Sequence, residues 1–461
     1  MAGKWSYKRV EQIALKIAMG PFGSSIKVET FTDSGIPIIS GQHLREAQVT
    51  DDEFNFITEA HADSLKNANV QRGDVIFTHA GNIGQVAFIP EDSAYQRYVI
   101  SQRQFYLRCD TDLMLPEFIT YYFKTPEGQH RLLANANQVG VPSIARPSSY
   151  LKTIEVPAPS IEEQQVVVRN IKTLDAKIRL NIGINQTLET MVQAIFKSWF
   201  VDFDPVKAKI TAKAEGRDPL RAAMTAICGK ADAELDALPP EQYEHIAVSA
   251  ALFPDEMKAS ELGGIPEGWG VKSVADVAEF CRGKVDVSAL NNDIYISTEN
   301  MLENRGGVSR AASIPSVATV PCFKTGQILV SNIRPYFKKI WMAHFDGGRS
   351  PDVLAFEPTV PQSTEFLYNL MYQDAFFEFM TRTAKGAKMP RGDKDAIMGW
   401  RFPCPDEALM VYFAEKVRPH YEYINSLKSE NDSLAKLRDT LLPKLLSGEL
   451  SVANAMVEAE A

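Results

Sequence analysis

The side chains best placed to do chemistry in this 461-residue chain are cations rather than catalytic groups. Arg334, Lys338 and Lys339 crowd one stretch. Arg382, Lys385, Lys388, Arg391 and Lys394 recur at every third position in another, with Gly386 and Gly392 among them. Cations on glycine-containing loops suit contact with phosphate oxygens, because glycine lets the backbone approach closely. The plainer reading is a solvated charged face. Catalytic signatures are missing: there is no G-x-G-x-x-G, no Walker A loop and no H-E-x-x-H. The seven histidines (43, 61, 79, 130, 245, 344 and 420) stand alone, and Asp51-Asp52-Glu53 reads as a solvated turn. Five cysteines, an odd number with no C-x-x-C pair, argue against a disulfide scaffold and a structural zinc. A nuclease centre assembled from scattered Asp, Glu and Lys would leave no mark in sequence spacing.

The elements that must position these loops are two long helices. From Glu162 to Trp199 the seam Val167, Ile171, Leu174, Ile178, Asn181, Asn185, Leu188, Val192, Ile195 and Trp199 alternates three and four residues apart. That spacing keeps one stripe facing a partner helix. Those 38 residues form a rod about 57 Å long. Sliding the pattern by 246 residues gives a second seam: Phe413, Val417, His420, Ile424, Leu427, Asn431, Leu434, Arg438, Leu441 and Leu445. Pro157-Ala-Pro159 becomes Pro403-Cys-Pro405. The two rods are expected to pack antiparallel on each other, with Asn185 and Asn431 as buried register marks or as solvent-facing residues. Arg438 breaks the seam, and Leu437 is the expected substitute. Pro443 is expected as a tolerated irregularity near the end of the second rod.

Composition is that of an ordinary globular protein, 45% apolar and 23% charged. No 18-residue apolar run is present, which argues against a membrane span, and the N-terminus has no apolar leader, so the chain reads as cytoplasmic. The net charge of −9 is unevenly spread. Residues 1–155 carry 15 basic and 17 acidic groups, and residues 266–400 carry 15 of each. Residues 215–265 carry 4 basic and 10 acidic groups, so the globular regions are near neutral and leave room for local basic faces.

The rest of the chain also repeats. Trp5, Val10 and Ile13 match Trp269, Val274 and Val277 at an offset of 264. Strand-like Val70–Thr78 matches Phe323–Ser331 at 253. Strands are expected around Gly35–Ser40, Gln104–Leu107, Ile294–Ser297 and Val353–Phe356, and helices at 115–123, 127–133 and 366–380, where aromatic side chains at helical spacing form core. Small helices are expected at Leu220–Ile227 and Glu241–Leu252. The fold class is α+β: two similar globular domains separated by two long antiparallel coiled-coil helices, an internal pseudo-twofold duplication.

In this order these pieces resemble a known family. Ile265-Pro-Glu-Gly-Trp269, Ala80-Gly-Asn-Ile-Gly84, Asn332-Ile-Arg-Pro-Tyr-Phe-Lys-Lys339, Pro157-Ala-Pro-Ser-Ile-Glu162-Glu-Gln164, Ser198-Trp-Phe-Val-Asp-Phe-Asp204, Ala251-Leu-Phe-Pro254 and Leu441-Leu-Pro-Lys-Leu-Leu-Ser-Gly-Glu-Leu450 look like landmarks of the specificity subunit of a type I restriction–modification system. One departure is Ala408-Leu-Met-Val411, which stands where the first helix has Glu162-Glu-Gln164-Gln and implies different polar contacts there.

The resemblance implies target recognition domains at 1–155 and 266–402, conserved long-helix regions at 156–214 and 403–461, and an acidic helical linker at 215–265. It implies a non-catalytic chain that binds a split asymmetric duplex DNA site. Two modification (methyltransferase) subunits using S-adenosylmethionine would methylate adenine, and restriction (motor and nuclease) subunits would use ATP and magnesium. This chain would hold no cofactor or metal. Candidate DNA contacts are His79, Asn82, Gln85, Gln138, Ser143 and Arg146 in the first domain, and the two basic clusters in the second. Gly81-x-x-Gly84 is either part of that surface or only a tight hairpin. The competing reading is a protein-binding scaffold or inhibitor with duplicated domains.

Overall fold

A computed structural model describes residues 5–23, 25–51, 53–137 and 140–450. The chain forms two compact units. One is drawn from the residues up to Asn181 together with those from Ser429 onward, and the other is Ile182–Lys428. Each long helix therefore contributes one half to each unit. The first spans Ile161–Phe200 and the second Glu407–Ser447.

In the first unit, the start of one long helix packs on the end of the other, so the two segments run antiparallel. Val167 and Ile171 are fully buried in a core that includes Leu442, Leu445 and Leu446. Further along, buried Asn181 donates Nδ2 to Glu430 Oε2 (2.6 Å) and Asn431 Oδ1 (2.9 Å). In the second unit Val192, Phe196 and Phe200 share a core with Phe413, Val417, Tyr421 and Ile424, again antiparallel. Every expected seam residue of both helices is buried or half-buried. The second helix runs through both Pro419 and Pro443, each on an exposed face. A proline there forfeits one backbone hydrogen bond, and the buried neighbours hold the helix together.

Arg438 corrects the seam. Leu437 is 46% exposed, and Arg438 turns inward to donate Nη1 to Asp175 Oδ1 at 2.9 Å. A half-buried carboxylate on the first helix makes a guanidinium, not a leucine, the fitting partner. The helix starts differ as well. Buried Gln164 accepts from the Leu115 N–H (2.8 Å) and donates to the carbonyls of Leu113 and Pro159 (3.0 Å each). Met410, its counterpart, is fully buried in apolar core, and Asp406 caps that helix by accepting from the Leu409 N–H.

Each unit contains the same main antiparallel sheet. In the first its order is Ala14–Met19, Gln104–Cys109, Asp74–Thr78, Val86–Phe88. In the second it is Ala278–Phe280, Val353–Pro358, Ile328–Ser331, Ile340–Met342. Helices Pro116–Lys124 and Pro126–Leu133 follow the first sheet, and Thr364–Tyr372 and Asp374–Thr383 follow the second. Of the aromatics on the latter pair, Phe366, Tyr368, Phe376 and Phe377 are buried in core. A second four-stranded sheet in each unit holds one parallel pair, Ile36–Ile39 with Arg97–Ile100 and Tyr295–Ile296 with Gly347–Arg349.

The first rod ends where buried Phe203 takes a left-handed backbone (φ +57°) and packs edge-on against Trp269. Helices Asp204–Ala214, Pro219–Cys228 and Pro240–Ala251 follow. Arg221, on the second of these, pairs with Asp232 and Asp236 at the two ends of the short helix Asp232–Leu235, both 2.8 Å.

Candidate functional site

The basic residues of the second unit meet because a strand overruns its sheet. Beyond Ile328–Ser331, Ile333 bridges antiparallel to Arg391. On either side, the Arg334 N–H donates to the Pro390 carbonyl (2.8 Å) and the Gly392 N–H to the Asn332 carbonyl (3.0 Å). Lys385 and Arg391 exchange both backbone hydrogen bonds at 2.8 Å, closing a hairpin whose turn contains Gly386 at φ +99°. A Cβ at Gly392 would lie 2.7 Å from Asn332 Oδ1 and 3.0 Å from Ile397 Cδ1, so a larger residue there would have to displace those side chains.

The surface presents Arg334, Lys385, Lys388 and Arg391, all exposed. Arg334 sits over the Phe337 ring at 5.9 Å, Lys385 pairs with Asp393, and Arg391 reaches Asp352 at 3.2 Å. Lys385 also holds the Asp393 carboxyl below the usual carboxylate range. Arg382 lies over Phe379 near the end of the helix that leads into the hairpin, and exposed Lys394 begins the short helix after it. Lys338 and Lys339 turn elsewhere: Lys338 pairs with Asp374 at 2.6 Å, and Lys339 donates to the Thr298 carbonyl at 2.9 Å.

The first unit repeats this construction. Past Asp74–Thr78, Ala80 bridges antiparallel to Ser143. The Gly81 N–H donates to the Pro142 carbonyl (2.9 Å) and the Ile144 N–H to the His79 carbonyl (2.9 Å). Gly81 (φ +83°) and Gly84 (φ +89°) shape the hairpin into Val86–Phe88, with Asn82 exposed at its tip. Gln85 faces inward, donating to the Gly41 carbonyl (3.0 Å) and accepting from the Thr78 hydroxyl (3.2 Å). His79 hydrogen-bonds the Gln102 carbonyl, and burial lowers its pKa, which favours neutral imidazole. Arg146 is exposed at a left-handed backbone (φ +46°) ahead of helix Pro147–Thr153. Gln138 lies outside the described residues. Of the register asparagines, Asn185 is buried and Asn431 accepts from Asn181.

Known proteins share this organisation. The sequence family described as "Type I restriction modification DNA specificity domain" matches residues 4–190. The type I restriction enzyme HindI specificity subunit of Haemophilus influenzae is 29% identical over 425 residues, covering 83% of this chain and 87% of the relative. The MjaIX specificity subunit of Methanocaldococcus jannaschii is 22% identical over 470 residues, covering 97% and 94%. Over most of its length the chain is similar to type I restriction–modification specificity subunits. The crystal structure of such a subunit from M. genitalium aligns over 96% of both chains with 14% identity and a TM-score of 0.51, a likeness of fold.

Gln102 and Arg103 join this surface although no sequence motif singles them out. They occupy the turn before Gln104–Cys109, and the Arg103 carbonyl accepts from the His79 N–H at 2.9 Å. Nothing in the sequence marks that turn, because its nearest basic neighbour at the site is distant along the chain. Among the described residues, no group of three or more His, Cys, Asp or Glu is placed to hold a metal ion, and no helix is long and apolar enough to cross a membrane.

Proposed function

We propose that this chain is a specificity subunit that binds a split, asymmetric duplex DNA site, with residues 1–155 and 266–402 as its two target recognition domains. Each domain reads one half of the site. The long-helix regions 156–214 and 403–461 set the spacing and dock two modification subunits, and the acidic segment 215–265 connects the halves. The modification subunits carry S-adenosylmethionine and methylate adenine; motor and nuclease subunits using ATP and magnesium restrict unmodified DNA. Specificity subunits are the non-catalytic components of these systems, and this chain's part is recognition.

The observation that carries the reading is the repeated loop-to-strand pairing. The same backbone bonds recur in both units, Gly81 to Pro142 and Arg334 to Pro390, yet the side chains they display differ. A fixed frame with variable side chains suits reading two different half-sites. Exposed Arg and Lys supply phosphate contacts that position each domain, and Arg, Asn and Ser can address base edges.

The test is to co-purify the full chain with its modification subunit and methylate a random duplex library with S-adenosylmethionine. Methylation confined to one split motif with a constant gap is expected. Exchanging residues 1–155 for those of another such subunit should change one half only. Failure to assemble, or methylation without a split motif, would replace this reading with that of a protein-binding scaffold.

A further inference from the structure

The repeated pairing establishes, position by position, which residues of one unit stand where in the other. His79 and Asn332 are equivalent: the first donates its N–H to the Arg103 carbonyl (2.9 Å), the second to the Asp352 carbonyl (2.8 Å). Arg103 therefore occupies the place of Asp352. The strand registers agree, since Thr78 pairs with Gln104 and Ser331 with Val353. The bridges Ala80–Ser143 and Ile333–Arg391 put Ser143 in the place of Arg391. Gly81 stands where Arg334 does, and Val141 where Met389 does.

The arginine stands at opposite members of this pair of positions in the two units. The second unit has Arg391 opposite Asp352, and the two side chains pair at 3.2 Å. The first unit has Ser143 opposite Arg103, which is exposed and whose side chain makes no ion pair or hydrogen bond among the described residues. Arg103 lies over Gly81: a Cβ there would come within 3.2 Å of its Nη1. Glycine at 81 thus leaves the space that this guanidinium uses. Beside each arginine stands an exposed apolar residue ahead of the proline, Val141 at 65% and Met389 at 49% exposure. One exposed apolar side chain needs no account. The same exposed apolar position on the same pinned backbone in both units does.

The geometry points to Arg103 in the first unit and Arg391 in the second as the base-reading guanidiniums of the two half-sites, delivered from opposite members of one pair of backbone positions. Val141 and Met389 are the apolar contacts flanking them. This rests on the DNA-recognition reading above and goes beyond it in naming which side chain of each unit selects bases. A guanidinium's two parallel N–H donors match guanine O6 and N7 in the major groove, and an apolar side chain beside it meets a thymine methyl or a base step. Asp352 holds Arg391 in place, and the Arg103 side chain is seated over a glycine.

The experiment uses the full chain assembled with its modification subunit, S-adenosylmethionine and a random duplex library. Arg103→Ala is expected to relax one or two positions in one half of the motif, and Arg391→Ser one or two positions in the other half. The loss of discrimination expected at a relaxed position is about tenfold or more. Arg103→Lys and Arg391→Lys keep the charge without the fork, and should lose the same selectivity as the truncations. They also stand in if a truncation impairs assembly. Val141→Ala and Met389→Ala should change preference in the same halves as their neighbouring arginines. Unchanged selectivity in the arginine variants, full rescue of selectivity by lysine, or relaxation of both halves by one substitution would overturn the assignment. A wild-type complex with no split motif would instead overturn the DNA-recognition reading itself, and this assignment with it.

Discussion

Replacing Arg438 with leucine would give the second long helix the residue that its seam periodicity asks for, yet it is expected to destabilise the protein. Asp175 is 13% exposed and Arg438 26%. Asp175 also accepts from the Tyr121 hydroxyl at 2.9 Å. Removing the guanidinium leaves a half-desolvated carboxylate with that single neutral donor. Breaking a fully buried pair costs about 3–5 kcal/mol, and the partial exposure here together with the retained hydroxyl bond reduces this to about 2–3 kcal/mol. Burial of the new leucine returns on the order of 1 kcal/mol. The expected net loss is therefore about 1–2 kcal/mol. Urea denaturation followed by circular dichroism would show it as a lower midpoint with an unchanged slope. Asp175→Leu alone should also cost stability, and the double leucine variant should recover most of the loss, with a coupling of about 1–2 kcal/mol. Arg438→Leu as stable as the wild type, at the same slope, would show that the pair contributes nothing and that the simple seam is the better description.

Gly84→Ala should lower stability by about 1–3 kcal/mol, measured by thermal melting, because Gly84 has φ +89° and a Cβ there would lie 2.6 Å from Gln129 Oε1. Asp374 is held at a pKa of about 2 by hydrogen bonds from Arg305 and Lys338. A depressed carboxylate contributes stability above its unfolded pKa, near 4, and loses it as pH falls through the folded value. The stability gap between wild type and Asp374→Asn should therefore stay level above about pH 5 and close toward pH 2 in a series of melts; a gap independent of pH over that window would refute the ion-pair reading. Exposed Lys388 makes no ion pair among the described residues, so Lys388→Ala should reduce the slope of log affinity against log salt by about one without altering the sequence motif.

The long helices were legible in the sequence because their determinant is local: a three–four apolar alternation that any partner helix must satisfy. Phe413, Val417 and Ile424 are buried where that alternation puts them. The α+β class and the internal repeat were legible for a related reason, since Trp5 and Trp269, or Phe77 and Val330, recur in order along the chain. Arg438 was misjudged because a heptad pattern counts apolar residues, whereas its partner Asp175 lies 263 residues away in sequence.

The candidate site was legible only as composition. Eight cations in two runs could be counted, but Lys338 turning to Asp374 and Lys339 to the Thr298 carbonyl could not. Nor could the exchange of Arg103 with Asp352 and of Ser143 with Arg391. Those equivalences exist through backbone hydrogen bonds between a strand end and a loop some sixty residues later, as from Gly81 to Pro142 and from Arg334 to Pro390. Such bonds join N–H and C=O groups that every non-proline residue carries, so they leave no residue-type signature. The sequence by itself determined the rods, the repeat and the resemblance to specificity subunits. Only the tertiary structure decided which side chains share a surface, because that depends on long-range pairing of chemically anonymous backbone.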